Sequence, residues 1–186
     1  MSPYLFNLPR NSRMSLNKGY LWTATIKDWK HLLKLDKYKA LIIEELQWLK
    51  NKNKIAVYGF VIMPNHIHIL WEMLARNGKE MPHASFNKFT ASNFLKDLRK
   101  YHPAVVPYFT EKSENRSHRF WQEDPKAILM DSRKKVEQKL DYIHNNPLHE
   151  RWNLAKSPEE YRWSSANFYL TGKDEFSILT HYMDRF

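Results

Sequence analysis

The sequence predicts an α+β domain: an antiparallel sheet with helices packed on it. Three observations carry this expectation. Short runs rich in β-branched and aromatic residues recur at Tyr20–Ile26 (YLWTATI), Ile55–Ile62 (IAVYGFVI), His66–Met73 (HIHILWEM) and Lys126–Met130 (KAILM). Longer segments between and after them place apolar residues at helical spacing. The second and third strands are joined only by Met63-Pro64-Asn65, a turn too short for anything but an antiparallel hairpin. The resulting order, β-α-β-β-α-β-α, is that of sheet-and-helix layers.

Residues 1–19 read as a polar arm and residues 20–186 as a single domain. The first helix is expected from Asp36, as N-cap, to Lys50, with Tyr38, Leu41, Ile42, Leu46 and Leu49 on its apolar face. After the hairpin, a polar loop with Gly78 and Pro82 leads to a helix capped by Ser85 and ending near Tyr101, with Phe86, Phe89, Phe94 and Leu98 inward. Residues 102–118, with Pro103 and Pro107, read as loop. His118–Gln122 and Lys126–Met130 read as one interrupted strand or two short ones. Asp131 is the expected N-cap of a helix that stops near Asn146, because Pro147 disfavours helical geometry in the residue before it. Ser157-Pro158-Glu159-Glu160 has the form of a capping box and opens a last helical segment.

Composition narrows the function. The chain has 186 residues, 42% of them hydrophobic, enough for a core without staples. It has no cysteine, which excludes disulfides and cysteine-ligated zinc and fits a reducing, cytoplasmic setting. The first 20 residues hold Pro3, Pro9, Arg10 and Arg13 and no apolar run, so no secretory signal is expected. No apolar run approaches the ~18 residues of a membrane span. The net charge is +10 and aromatics make up 15%, a combination suited to unpaired nucleic acid: phosphates meet Lys and Arg while bases stack on rings.

Two stretches carry chemistry. In a strand, side chains alternate faces, so His66 and His68 project together, about 7 Å apart at Cα, and can converge on one divalent ion. Two half-exposed histidines on an amphipathic strand would read the same way. Glu72 shares their face but lies about 13 Å further along the strand, too far for the same ion, so another element must complete any site. The candidate is the helix ending in DYIHNNP. Its buried stripe is Val136, Leu140 and Ile143, while Tyr142 and Asn146 stand one turn apart on another face, bordered by Lys139. A rim tyrosine and a terminal asparagine cap would also account for them. Arg133, Lys134 and Lys135 crowd the first turn, where the helix dipole favours negative charge; an anion bound nearby would offset that cost, and a solvated basic face would tolerate it.

Taken together, these residues resemble the HUH single-tyrosine transposases, in which a large hydrophobic residue, here Ile67, separates two histidines. MPNHIHIL, then FWQ, then LDYIHNNP and PEEYRWSS most resemble the transposase-like proteins associated with repetitive extragenic palindromes. The resemblance spans about residues 20–171, in order. It implies a ferredoxin-like core and a metal-dependent enzyme that nicks and transfers single-stranded DNA beside a hairpin. It also implies His66 and His68 as metal ligands, Asn146 as a third, a divalent Mg or Mn cofactor, and Tyr142 as the nucleophile that forms a 5′-phosphotyrosine. His144 lies about 200° round the helix from Tyr142 and is not counted as a ligand. Residues 102–118 and the tail after Gly172 fall outside the resemblance.

Lys88, Lys96, Arg99, Arg119, Trp121, Gln122, Arg133, Lys134 and Lys139 are the candidate nucleic-acid contacts. Single-stranded or hairpin DNA is the expected partner, with no membrane, and the protein acts as a monomer or homodimer. The rival functions are a hairpin-binding protein that has kept the fold without turnover, and a hydrolase of a small phosphorylated substrate; the charge and aromatic content disfavour the second.

Overall fold

The computed structural model describes residues 14–113, 116–123 and 125–186. Its strands are β1 (Gly19–Thr25), β2 (Ile55–Ile62), β3 (His66–Met73), β4 (Thr110–Ser113), β5 (Arg116–His118) and β6 (Lys126–Met130). Its α-helices are α1 (Asp36–Asn51), α2 (Pro82–Tyr101), α3 (Arg133–Asn145) and the short α4 (Ala166–Thr171). The main sheet runs β2-β3-β1-β6 with every neighbouring pair antiparallel. β1-α1-β2 and β3-α2-β6 are thus two split β-α-β units, each with a strand of the other inserted, which is the ferredoxin-like arrangement expected. No helix among the described residues is long and apolar enough to cross a membrane.

Strand alternation divides the sheet cleanly. Ile67, Ile69, Trp71 and Met73 of β3 are completely buried on one face. There Trp71 stacks on Trp22 of β1 at 5.0 Å between ring centroids, and Phe86 of α2 meets both edge-on at 6.2 and 5.7 Å. α1 and α2 cover this face side by side, joined by a hydrogen bond from the Tyr38 hydroxyl to Asp97 (2.6 Å).

The opposite face carries His66, His68, Leu70 and Glu72, and α3 lies across it. The approach depends on Gly59 of β2: a Cβ there would collide with Leu140 of α3 and come within 3.2 Å of the Ser165 hydroxyl. A bulge between Val57 and Gly59 turns Tyr58 onto the same face. Its hydroxyl donates to the buried carboxylate of Glu72 (3.0 Å), which also accepts from Arg185 (2.8 Å). Gly59→Ala is expected to destabilise the fold by about 1–3 kcal/mol through overpacking and to lift α3 from the sheet. Urea unfolding checks this, and an unchanged midpoint would show that the helix does not rely on the bare backbone.

Several boundaries differ from expectation for identifiable reasons. Asp36 is the first residue inside α1 rather than its cap, and its carboxylate is taken by Lys39 (2.8 Å). α2 starts three residues earlier than Ser85, because Pro82 suits the first helical position; the Ser85 hydroxyl donates to the Pro82 carbonyl instead (3.0 Å). Phe89 is 45% exposed. The inward row is Phe86, Thr90, Phe94 and Leu98, with Thr90 admitted because its hydroxyl accepts the Trp121 indole N–H (2.9 Å).

Residues 102–118 are not plain loop: a 3₁₀ turn over Pro103–Phe109 leads into β4 and β5, which form their own two-stranded sheet. Asp131 does not cap α3; Ser132 occupies that place and Asp131 pairs with Lys135 (3.2 Å). The expected capping box at Ser157 gives only one 3₁₀ turn, Pro158–Glu160, and α4 begins later at Ala166. The arm reading for residues 1–13 lies outside the described residues. Residues 14–18 are tied to the domain at two points: Met14 is buried with Leu16 packed partly against the core, and the Asn17 N–H donates to the Met73 carbonyl (2.8 Å).

Candidate metal and nucleophile site

The pairing of β1 with β3 sets Thr23 opposite His68 and Thr25 opposite His66. The Thr23 hydroxyl lies 2.7 Å from His68 Nδ1. The completely buried Asn65 side chain holds His66: its Nδ2 donates to the Trp29 carbonyl (3.2 Å), so its Oδ1 faces His66 Nδ1 at 2.7 Å. Oδ1 can only accept, which puts the proton of His66 on Nδ1 and leaves the Nε2 lone pair available. The two imidazole centroids are 4.9 Å apart, nearly perpendicular. Each ring is anchored through Nδ1 by a partner outside the pair, the usual way metal-binding histidines are oriented.

Both rings are held neutral. Burial, helped by the nearby Arg151 charge, pushes His66 down to about 4. Burial first, then His66 and Lys139, pushes His68 to about 3. Imidazole binds a cation only in this unprotonated form, so the environment suits ligation.

α3 brings Tyr142 to the pair. Val136, Leu140 and Ile143 are buried against the sheet as their spacing predicts, and this leaves the Tyr142 ring 5.6 Å from the ring of His68 in the same chain, with 48% of the residue exposed. Lys139 Nζ stands 5.7 Å from the Tyr142 ring centroid. Asn146 follows at the end of α3. It is buried, and its Nδ2 has no hydrogen-bond partner. Interchanging the amide atoms would leave an oxygen in that place, and an oxygen without a donor is compatible with a cation ligand. Among the described residues no group of three or more His, Asp or Glu is placed to hold an ion, so a carboxylate does not complete the pair; Glu72 is engaged by Tyr58 and Arg185.

His144 faces the other way, as its angle on the helix predicts. It is buried, with Nε2 2.7 Å from the Ser165 hydroxyl, and burial pushes it down to about 4. Its folded-state value lies below the unfolded value near 6.5, so its stabilising contribution is complete above pH 6.5 and is lost as pH falls toward 4. Stability at pH 5 should be about 2 kcal/mol lower than at pH 7 on this account alone. His144→Gln should flatten that slope in urea titrations at the two pH values; an equal slope in the variant would assign the acid sensitivity elsewhere.

The candidate nucleic-acid contacts do not gather into one surface. Trp121 is buried between Phe86 and Phe94, with centroids 6.2 and 6.1 Å away, and it serves the core rather than a base. Arg119 is claimed by Glu111 and Glu123. Gln122 is partly buried, its backbone N–H donating to the Thr25 carbonyl (2.7 Å). Lys88 pairs with Glu80 (3.1 Å), and Arg133 with Glu137 (2.8 Å). That second pair and Asp131–Lys135 answer the charge crowding at the start of α3 without a bound anion. Lys96, Arg99 and Lys134 are exposed on α2 and α3. Of the nine, Lys139 alone borders Tyr142. Residues not anticipated from sequence surround the pair: Thr23, Asn65, Trp29, Trp152 and Arg151. Asn65 had a local signal, an amide directly preceding the first histidine; the others become neighbours only through folding.

No protein-family model matches the sequence, and no curated protein matches it. Solved structures do resemble the fold. One is a REP-associated tyrosine transposase bound to a REP hairpin: 17% identity, 95% of this chain and 90% of that chain covered, TM-score 0.58. Another is a "putative transposase" from Deinococcus radiodurans: 16% identity, 72% and 94% covered, TM-score 0.42. At such identity the first establishes a shared α+β fold.

Proposed function

We propose that this protein nicks and rejoins single-stranded DNA beside a hairpin, with Tyr142 as nucleophile and a divalent Mg or Mn ion held by His66, His68 and Asn146. The observation that carries this reading is the placement of Tyr142 against His68, beside two neutral imidazoles each anchored through Nδ1. The donor set fits such an ion, with imidazole favouring Mn over Mg. A bound ion would supply Lewis-acid polarisation of a non-bridging phosphate oxygen.

The chain's own groups do the rest. The Tyr142 oxygen attacks phosphorus, the bond from phosphorus to the 3′ oxygen breaks, and the phenol proton is lost as the 3′ oxygen gains one. Lys139 stabilises the phenolate, and Lys139 and Arg151 counter the phosphate charge. The product is a 5′-phosphotyrosine with a free 3′-hydroxyl. Attack by another 3′-hydroxyl reverses the step and releases Tyr142, so strands are exchanged without ATP because the bond energy is kept in the covalent link. A hydrolase using water would have no need of a tyrosine at this place. The hairpin part of the proposal draws on the fold neighbour solved with one and on the +10 charge.

The test is incubation of labelled hairpins carrying single-stranded flanks with the protein and Mn²⁺, followed by denaturing gels. An SDS-resistant protein–DNA adduct is expected. Tight binding with no adduct and no cut would reject turnover and leave the hairpin-binding reading.

A further inference from the structure

We infer that Trp29 and Trp152 form a stacking shelf for one unpaired base next to the phosphate at His66; this rests on the reading that a DNA phosphate binds there. The two indoles flank the same imidazole, Trp29 at 6.3 Å and Trp152 at 5.9 Å between centroids. A single nucleotide covers that separation between its phosphate and its base. The Arg151 guanidinium lies over the Trp152 ring at 5.1 Å and the His31 ring stands 5.7 Å from it, so a cation and a further aromatic ring adjoin this indole.

The backbone under Trp29 is what singles it out. Asp28 and Trp29 are consecutive residues in the left-handed region, at φ 54° and 56°. A bulky residue there is an outlier, and such strain concentrates where function demands a geometry. Burial does not compensate it, since Trp29 remains 54% exposed. The turn is nonetheless pinned. The Lys27 N–H donates to the Phe120 carbonyl (2.7 Å), the Trp29 N–H to the Ile26 carbonyl (2.9 Å), and the Trp29 carbonyl accepts from Asn65, the same amide that orients His66. One side chain thus fixes both the candidate ligand and the indole beside it. A rigid, solvent-facing ring at a phosphate site suits a base rather than a protein partner, and only an unpaired base offers its face.

The test uses a hairpin with a single-stranded tail carrying 2-aminopurine at each tail position in turn, the same hairpin without a tail, and EDTA so that no strand is cut. Binding should quench the probe strongly at one tail position. Trp29→Ala and Trp152→Ala should each weaken tailed-hairpin binding by roughly 5- to 150-fold, the range of one lost base–aromatic stack, and leave tailless-hairpin affinity unchanged. An abasic site at the quenched position should remove the difference between wild type and variant without any change to the protein, and Trp29→Phe should retain most of the affinity.

Absence of quenching at every position overturns the shelf, as does an equal loss on tailed and tailless hairpins. Concentration-dependent self-association that Trp29→Ala abolishes would reassign the rings to a second copy of the chain. The two readings fail separately: quenching without cleavage in Mn²⁺ sinks the nicking proposal and keeps the shelf, whereas Mn²⁺-dependent adducts with unchanged tail affinity in both variants do the reverse.

Discussion

Tyr142→Phe is expected to eliminate the covalent protein–DNA adduct and slow strand cleavage by at least about 10³-fold, the scale on which loss of a nucleophile is felt, while hairpin affinity and the thermal midpoint stay at wild-type values. The substitution removes one oxygen and keeps the ring that packs 5.6 Å from His68. The residue is nearly half exposed, so little of the core packs on it. Four of the other tyrosines are poorly suited to replace it. The hydroxyls of Tyr38, Tyr58, Tyr161 and Tyr169 are engaged with Asp97, Glu72, the Ile62 carbonyl and the Tyr58 carbonyl, and burial pushes all four phenols well above the usual range. Normal cutting by the phenylalanine variant would reject the tyrosine mechanism and favour an activated water.

His66→Ala should remove Mn²⁺-dependent cleavage altogether with little change in fold, since this ring lies at the partly open end of the pair. Asn65→Ala should act through His66: its loss frees the imidazole to turn, and a 10- to 100-fold weaker response to Mn²⁺ is expected, the usual cost of losing a ligand's orienting partner. Asn146→Ala should weaken metal dependence less than His66→Ala, because an amide oxygen is the poorest ligand of the set. Metal titration of cleavage separates these cases. An Asn65→Ala protein with a wild-type Mn²⁺ midpoint would show that the hydrogen bond to His66 does not set the site.

The sheet could be read from the sequence because its strands alternate or run apolar between turn residues, and the β2–β3 boundaries were legible to the residue. The facing of the two histidines followed from the same alternation, and the orientation of Tyr142 from the buried stripe of α3. Contacts made across the chain were not legible. Thr23 meets His68 only through strand register, and nothing near Thr23 signals it. Trp121 and Arg119 looked like nucleic-acid contacts because an aromatic beside a cation suits both a core rim and a binding face. Burial against Phe86 and Phe94, and the presence of Glu111, decide otherwise. Helix starts were missed where a proline or a backbone cap replaced the side-chain cap that local rules favour.

The contact between Tyr142 and His68 lies within one polypeptide, and under the proposed mechanism that sets how the catalytic unit is counted. On that reading each copy would carry its own ligand pair and its own attacking group, and inactive partners would have nothing to lend one another. Mixing Tyr142→Phe protein with His66→Ala protein should restore no cleavage at any ratio, and wild-type initial rates at saturating DNA should rise in direct proportion to protein concentration. If the mixture regained activity, α3 would have to be exchanged between copies, and the unit of reaction would be the pair rather than the single chain.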